Sequence, residues 1–248
     1  MLFFNMSEVK LYKGDCLVNL ENIKDNSVDL IVTDPPYLID TVGGQGSVNS
    51  ILKLDKSLDD LKKNQDITMG YDIELFADIV NRIQGGNINA YFWCNKAQIP
   101  DYIRVYVDKL KCKFDILCWH KDNALPTYSN KYLSDTEYCL FFHKGKGHTF
   151  PQTYEDAKTY WVEPINHIDK KLYGHPTIKP LHMIEQLVRN SSKEGDTILD
   201  TFMGSGTTGV AALKNNCDFI GIELDDKYFN IAQKRVEEEL NKQKEKLF

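Results

Sequence analysis

The chain has 248 residues, a length that fits one large α/β domain or one domain with a small appendage. Hydrophobic residues make up 42% and charged residues 27%, which excludes wholesale disorder, and no apolar run approaches the ~20 residues of a membrane span. The net charge of −6 argues against a protein that coats nucleic acid nonspecifically, without excluding a local basic surface. Residues 1–4 are too short for a signal-peptide core. Six scattered Cys without a CxxC pair read as reduced thiols, so a cytoplasmic protein with no metal site and no membrane partner is expected.

In chain order the patterning alternates strand with helix, as in a mostly parallel sheet covered on both faces. Residues 9–12 predict a short strand. Residues 29–33 predict a second, which stops at Pro35-Pro36 because proline cannot continue a central ladder. Ile73, Phe76, Ile79, Val80 and Ile83 form a helical stripe over 73–83. Residues 88–94 read as a strand and 99–110 as a helix. Residues 113–120 and 137–143 read as two more strands, set as an antiparallel edge. Pro180 suits a first helical position, and Leu181, Ile184, Leu187 and Val188 continue a helical face. A strand over 197–202, a helix over 207–214 and a strand over 217–224 follow. The last helix starts near Asp225-Asp226, and its polar end, 241–248, is expected to fray. The stretches 38–70 and 148–174 show no clear period, and a connection as long as the first is usually functional or disordered. A single domain over 1–248 is expected.

Two motifs carry chemistry. Asp200-Thr201-Phe202-Met203-Gly204-Ser205-Gly206-Thr207-Thr208-Gly209 lies between a strand and a helix, where a nucleotide-binding turn belongs. Gly204, Gly206 and Gly209 satisfy GxGxxG, and Glu223 ends the next strand nineteen residues after Gly204, placed to accept a ribose diol. Only about forty residues follow Gly209, too few for the second half of a dinucleotide fold, so the remaining strands come from upstream in a circularly permuted order. The second motif, Asp34-Pro35-Pro36-Tyr37, follows a strand at the edge where open α/β sheets bind ligands. The two rings stiffen the turn so that the Asp34 carboxylate and a carbonyl form an acceptor pair for an exocyclic amine. Tyr37 offers a flat face for a heterocycle.

Together with His175-Pro176-Thr177-Ile178-Lys179-Pro180, these motifs resemble the permuted β-class DNA amino-methyltransferases, in the family's order and over roughly residues 9–240. The resemblance implies a Rossmann-like methyltransferase fold, S-adenosylmethionine as cofactor and methylation of the N6 amine of adenine in DNA. It implies that Phe202, Gly204, Ser205, Gly206 and Thr207 form the cofactor loop with Asp200 at its base. Glu223 would bind the ribose, Thr177, Lys179 and Pro180 the methionine end, and Asp15 the cofactor's adenine. Trp119-His120-Lys121-Asp122-Asn123 resembles a further family segment in which Lys121 meets phosphate.

The catalytic expectation is Asp34, Pro35, Pro36 and Tyr37 acting on a flipped adenine: the turn localises the amine's lone pair and Tyr37 replaces lost stacking. Ring-carbon methylation would need a Pro-Cys nucleophile, which the chain lacks. DNA contacts are expected from loop 38–70, with Lys53, Lys56, Lys62 and Lys63, from His143, Lys144, Lys146 and His148, and from Lys170 and Lys171 in a small recognition insert about 148–174. N4-cytosine methylation, RNA or protein glutamine methylation, a noncatalytic module on the same fold and an NAD oxidoreductase stay open as alternatives. A cognate restriction endonuclease and a homodimer stay open as partners.

Overall fold

In the computed structural model, which describes residues 7–37, 72–124, 126, 132–147, 149–175 and 177–246, strand and helix alternate as the patterning requires. Val9–Lys13 (β1) leads into Cys16–Glu21 (α1), Leu30–Thr33 (β2), Ile73–Ile83 (α2) and Ile88–Cys94 (β3). Ile99–Tyr102 (α3) continues as a π-helical segment over Ile103–Lys109, followed by Lys113–His120 (β4), Thr136–Lys144 (β5), Tyr160–Val162 (β6) and His167–Tyr173 (α4). Leu181–Ser191 (α5), Thr197–Asp200 (β7), Thr207–Lys214 (α6), Asp218–Glu223 (β8) and Asp226–Lys246 (α7) complete the described chain. Loop 38–70 and its four lysines lie outside the described residues.

The strands form one eight-stranded sheet in the order β1-β8-β7-β2-β3-β5-β4-β6. Every neighbouring pair is parallel except the two made by β5. The last unit, β7-α6-β8, lies between β1 and β2, so the end of the chain completes the middle of the sheet, the permuted order expected. The antiparallel pairing is present with one correction. β5 is an interior strand between β3 and β4, and the edge belongs to β6, parallel to β4. Three residues are too short a run to show a period, which is why 148–174 concealed both β6 and the short helix α4.

Two further expectations are corrected. The helix over 99–110 is α-helical only to Tyr102; beyond it the Leu110 N–H donates to the Val105 carbonyl, five residues back, at 3.0 Å. The last helix runs to Lys246 instead of fraying from 241.

Packing explains these elements. On α2 the stripe residues Phe76, Val80 and Ile83 are fully buried, and Asp72 caps the helix by accepting from the N–H groups of Glu74 and Leu75 at 3.0 Å. Such a cap contributes ~1 kcal/mol and each buried large side chain ~1.5–3 kcal/mol. One core cluster joins α2 and α3 to one face through Phe92, Tyr102, Tyr106 and Phe142. The other joins α5, α6 and α7 to the opposite face through Met183, Leu187, Ala211, Phe219, Ala232 and Val236. With both faces covered, β3 is buried at every position.

This topology places the site. β2 and β7 are parallel neighbours, yet α2, which follows β2, packs on one face and α6, which follows β7, on the other. Chains leaving adjacent strands for opposite faces open a crevice at the strands' carboxyl ends. Among the described residues no helix is long and apolar enough to cross a membrane.

Candidate active site

The crevice is held shut at its floor by side chains of the two strand ends. Thr33 Oγ1, on the last residue of β2, lies 2.8 Å from Asp200 Oδ1, on the last residue of β7, and 3.1 Å from Thr201 Oγ1. Beyond Thr33 the turn Asp34-Pro35-Pro36-Tyr37 is anchored by Gln98 Nε2, which donates to the Pro36 carbonyl at 3.0 Å. Asp34, His175, Thr177, Lys179, Asp200, Phe202, Gly204, Ser205 and Thr207 then line one cleft of about 390 Å³. All three sequence motifs meet there.

The glycine loop is shaped by its neighbours. Gly204 has φ +50° and a Cβ built on it would stand 2.8 Å from His175 Nε2; Gly206 has φ +81° and its Cβ would stand 3.0 Å from Ala232 Cα. Only glycine fits both the backbone and the space. Glu223 holds the loop from β8: Oε2 accepts from the Gly204 N–H and Oε1 from the Asp225 N–H, each at 2.8 Å. Arg235, on α7, donates to the Ser205 carbonyl at 2.7 Å, to Ser205 Oγ at 3.1 Å and to Thr207 Oγ1 at 3.3 Å, while its guanidinium lies 3.8 Å over the Tyr173 ring. Burial pushes the Asp200 carboxyl up to about 7. Burial, with Lys179 and Arg235 nearby, holds His175 down to about 4, so its ring is neutral against Gly204. A tight glycine loop lining the cleft, a carboxylate on the loop and the N-terminus of α6 beside it fit S-adenosylmethionine, which presents a diol, a carboxylate and a flat adenine.

A chain of alternating charge occupies the other side of the cleft. Lys179 Nζ donates to Asp34 Oδ2, to Glu137 Oε2 at 3.2 Å and to Tyr37 Oη at 3.3 Å. Tyr37 Oη lies 3.5 Å from Glu137 Oε2, and Lys121 Nζ pairs with Glu137 Oε1. Burial pushes Asp34 up, opposed by the Lys179 ammonium. Burial acts to raise Glu137 too, but Lys179 and Lys121 outweigh it and hold that carboxyl down to about 2. Asp34 Oδ1 is buried and has no hydrogen-bond partner among the described residues.

The remaining expected residues divide. Asp15 caps α1, accepting from the Val18 N–H at 3.1 Å, and sits beside β8 because the Gly14 N–H donates to the Glu223 carbonyl at 2.9 Å. Pro180 is the N-cap of α5. Lys179, expected at the methionine end of the cofactor, lines the cleft and is bound to Asp34. Lys121, expected on phosphate, is committed to Glu137. Lys144 ends β5, opposite Ile88 at the start of β3, so it and Lys146 lie at the edge away from the cleft. Glu137, Gln98, His175 and Arg235 were not singled out for the cleft by sequence reasoning. His175 was visible, since it opens the third motif; nothing local marked the other three.

Comparison with known proteins identifies the family. A family model described as DNA methylase matches residues 28–234. The type II methyltransferase M2.DpnII of Streptococcus pneumoniae is 28% identical over 256 residues, covering 96% of this chain and 92% of that one. M.HinfI of Haemophilus influenzae is 30% identical over 252 residues, covering 92% of this chain and 68% of that one. The structure of the M1.HpyAVI–SAM complex superposes with TM-score 0.61 at 26% identity, covering 92% of this chain and 99% of that one. The cytosine-N4-specific PvuII DNA methyltransferase superposes with TM-score 0.67 at 18% identity, which speaks for the fold alone. The chain belongs to the DNA methylase family, the S-adenosylmethionine-dependent enzymes that methylate exocyclic amines of DNA bases.

Proposed function

We propose that this enzyme methylates the N6 amine of an adenine extruded from DNA, with Asp34, Pro35, Pro36 and Tyr37 as the base-binding turn. The observation that carries the reading is Asp34 Oδ1, a buried carboxylate oxygen without a partner among the described residues, in the cleft that also contains the glycine loop. An unmet buried acceptor costs ~1–3 kcal/mol, and an amine N–H entering the cleft removes that cost. S-adenosylmethionine supplies a methyl group activated by its sulfonium. The amine nitrogen is a poor nucleophile because its lone pair is delocalised into the ring. Hydrogen bonds from the amine to Asp34 Oδ1 and the Pro35 carbonyl localise that pair, and the carboxylate stabilises the positive charge that grows on nitrogen. The Tyr37 ring replaces the stacking lost on extrusion, ~1–3 kcal/mol.

In the family, the Asp-Pro-Pro-Tyr form of the motif leans toward adenine, which supports N6 over N4-cytosine. On the cofactor side, Glu223 takes the ribose, and the glycine loop with Asp200 at its base surrounds the rest. DNA is met by α4, whose Ile168 and Leu172 are 81% and 67% exposed beside Lys171. Likeness to type II methyltransferases supports a cognate restriction endonuclease as partner. A DNA substrate and free cysteines accord with a cytoplasmic location. Incubation with methyl-labelled cofactor and mixed DNA, followed by nucleoside analysis, tests the reading. N6-methyl-2′-deoxyadenosine is expected; N4-methyl-2′-deoxycytidine would transfer the reading to the cytosine alternative, and absence of label in DNA would end both.

A further inference from the structure

We infer that Lys179 and Glu137 are positioning residues for Asp34: the Lys179 ammonium fixes Oδ2 and leaves Oδ1 as the accepting oxygen, while Glu137, backed by Lys121, holds the ammonium in place. This rests on the reading of Asp34 as the amine acceptor.

The hydrogen-bond count is complete on one side. An ammonium has three donors, and Lys179 Nζ meets three acceptors: Asp34 Oδ2, Glu137 Oε2 and Tyr37 Oη. Its side chain is only 5% exposed, and Nζ also lies 5.0 Å from the centre of the Trp93 ring. Such a lysine has no donor left for a further ligand. Glu137 is spent likewise, with Oε2 toward Lys179 and Oε1 toward Lys121. Asp34 Oδ1 is the carboxylate oxygen left unmet between these two acids.

Electrostatics gives the arrangement its purpose. A carboxyl in this cleft is driven toward its neutral form by burial, and a neutral acid is a weak acceptor for a nitrogen gaining positive charge. The groups facing Asp34 are Lys179, Glu137 and Cys139 of β5, Cys94 of β3, Tyr37 and, across the cleft floor, Asp200. Burial pushes the Cys94 thiol up to about 12 and Cys139 well above its ordinary value, so neither carries charge. Lys121 and Lys170 stand behind Glu137. Lys179 is therefore the cation that opposes the effect of burial on Asp34, and Glu137 is the anion that keeps Lys179 charged and aimed. Glu137 also repels Asp34, so the two removals act on Asp34 in opposite directions.

The test is single-turnover methyl transfer against pH in the full-length enzyme with duplex DNA, for wild type, Lys179→Met and Glu137→Gln, with cofactor affinity measured by calorimetry. Lys179→Met is expected to lower the rate ~10²-fold or more and to move the acid limb up by ~1–3 pH units, because the nearby cation is gone. Glu137→Gln is expected to move the acid limb down and to bring a basic limb into range as Lys179 loses its second carboxylate. Both variants should bind cofactor nearly as wild type does. If Lys179→Met proves unstable, the opposite shift in Glu137→Gln alone decides. Acid limbs that coincide with wild type would overturn the inference, as would a loss of cofactor affinity matching the loss of rate, which would make Lys179 a cofactor ligand. A wild type that transfers no methyl group to DNA would instead defeat the underlying reading.

Discussion

Thr33 and Asp200 are 167 residues apart in sequence, yet the Thr33 hydroxyl lies 2.8 Å from Asp200 Oδ1 in a buried hydrogen bond. Each is the last residue of its strand. The next residue after Thr33 is Asp34, on the base side; the next after Asp200 begins the glycine loop, on the cofactor side. With the parallel pairing of β2 and β7, this bond helps set the separation between the two halves of the chemistry.

The burial that raises Asp200 to about 7 makes stability depend on pH. Because the folded value exceeds the ~4 of an unfolded aspartate, the contribution is full below pH ~4 and is lost as pH rises through about 7. Asp200→Asn removes this dependence. Urea-unfolding midpoints of variant and wild type should diverge in the variant's favour from pH 4 to 7 and run parallel above 8. A constant difference throughout would mean that Asp200 titrates normally.

Asp34→Ala should reduce methyl transfer by ~10²-fold or more while leaving cofactor binding within a few-fold of wild type, since its lost acceptor serves the base. Transfer and calorimetric titration on the same preparation check this. Near-full activity would remove Asp34 from the reaction.

Tyr37→Ala should cost much more activity than Tyr37→Phe, because the ring supplies ~1–3 kcal/mol of stacking. The hydroxyl contributes a 3.3 Å contact with Lys179, a longer one with Glu137 and a hydrogen bond that helps hold Asp34 down, smaller effects than loss of the ring. Rates of both variants on the same duplex make the comparison, and equal losses would count against stacking.

Arg235→Lys should weaken cofactor binding by ~10-fold without unfolding α7. A lysine cannot reach three acceptors on Ser205 and Thr207 and lie flat on Tyr173 at once. Calorimetry with circular dichroism measures both parts; unchanged affinity would show that the loop is held by its glycines and Glu223 alone.

The sequence by itself determined the parts of this enzyme that are local. Helix stripes such as 73–83, buried strands such as 88–94, the proline turn and the glycine loop are each written within about ten residues, because capping, periodicity and backbone freedom act at that range. The permuted order was legible in the motif order, with the Asp-Pro-Pro-Tyr turn ahead of the glycine loop. Strand direction is different. In a parallel strand an early residue faces the edge away from the cleft, so neither Glu137 nor Lys144 could be placed without knowing that β5 runs backwards. The reversal brings Glu137 to the cleft and takes Lys144 and Lys146 away from it. The partners of Lys179 were hidden for the same reason: Asp34 follows β2 and Glu137 lies on β5, two strands on either side of β3 whose order is decided by long-range pairing. Only packing of the whole sheet, which buries both its faces at once, selects the strand order that lets those charges meet.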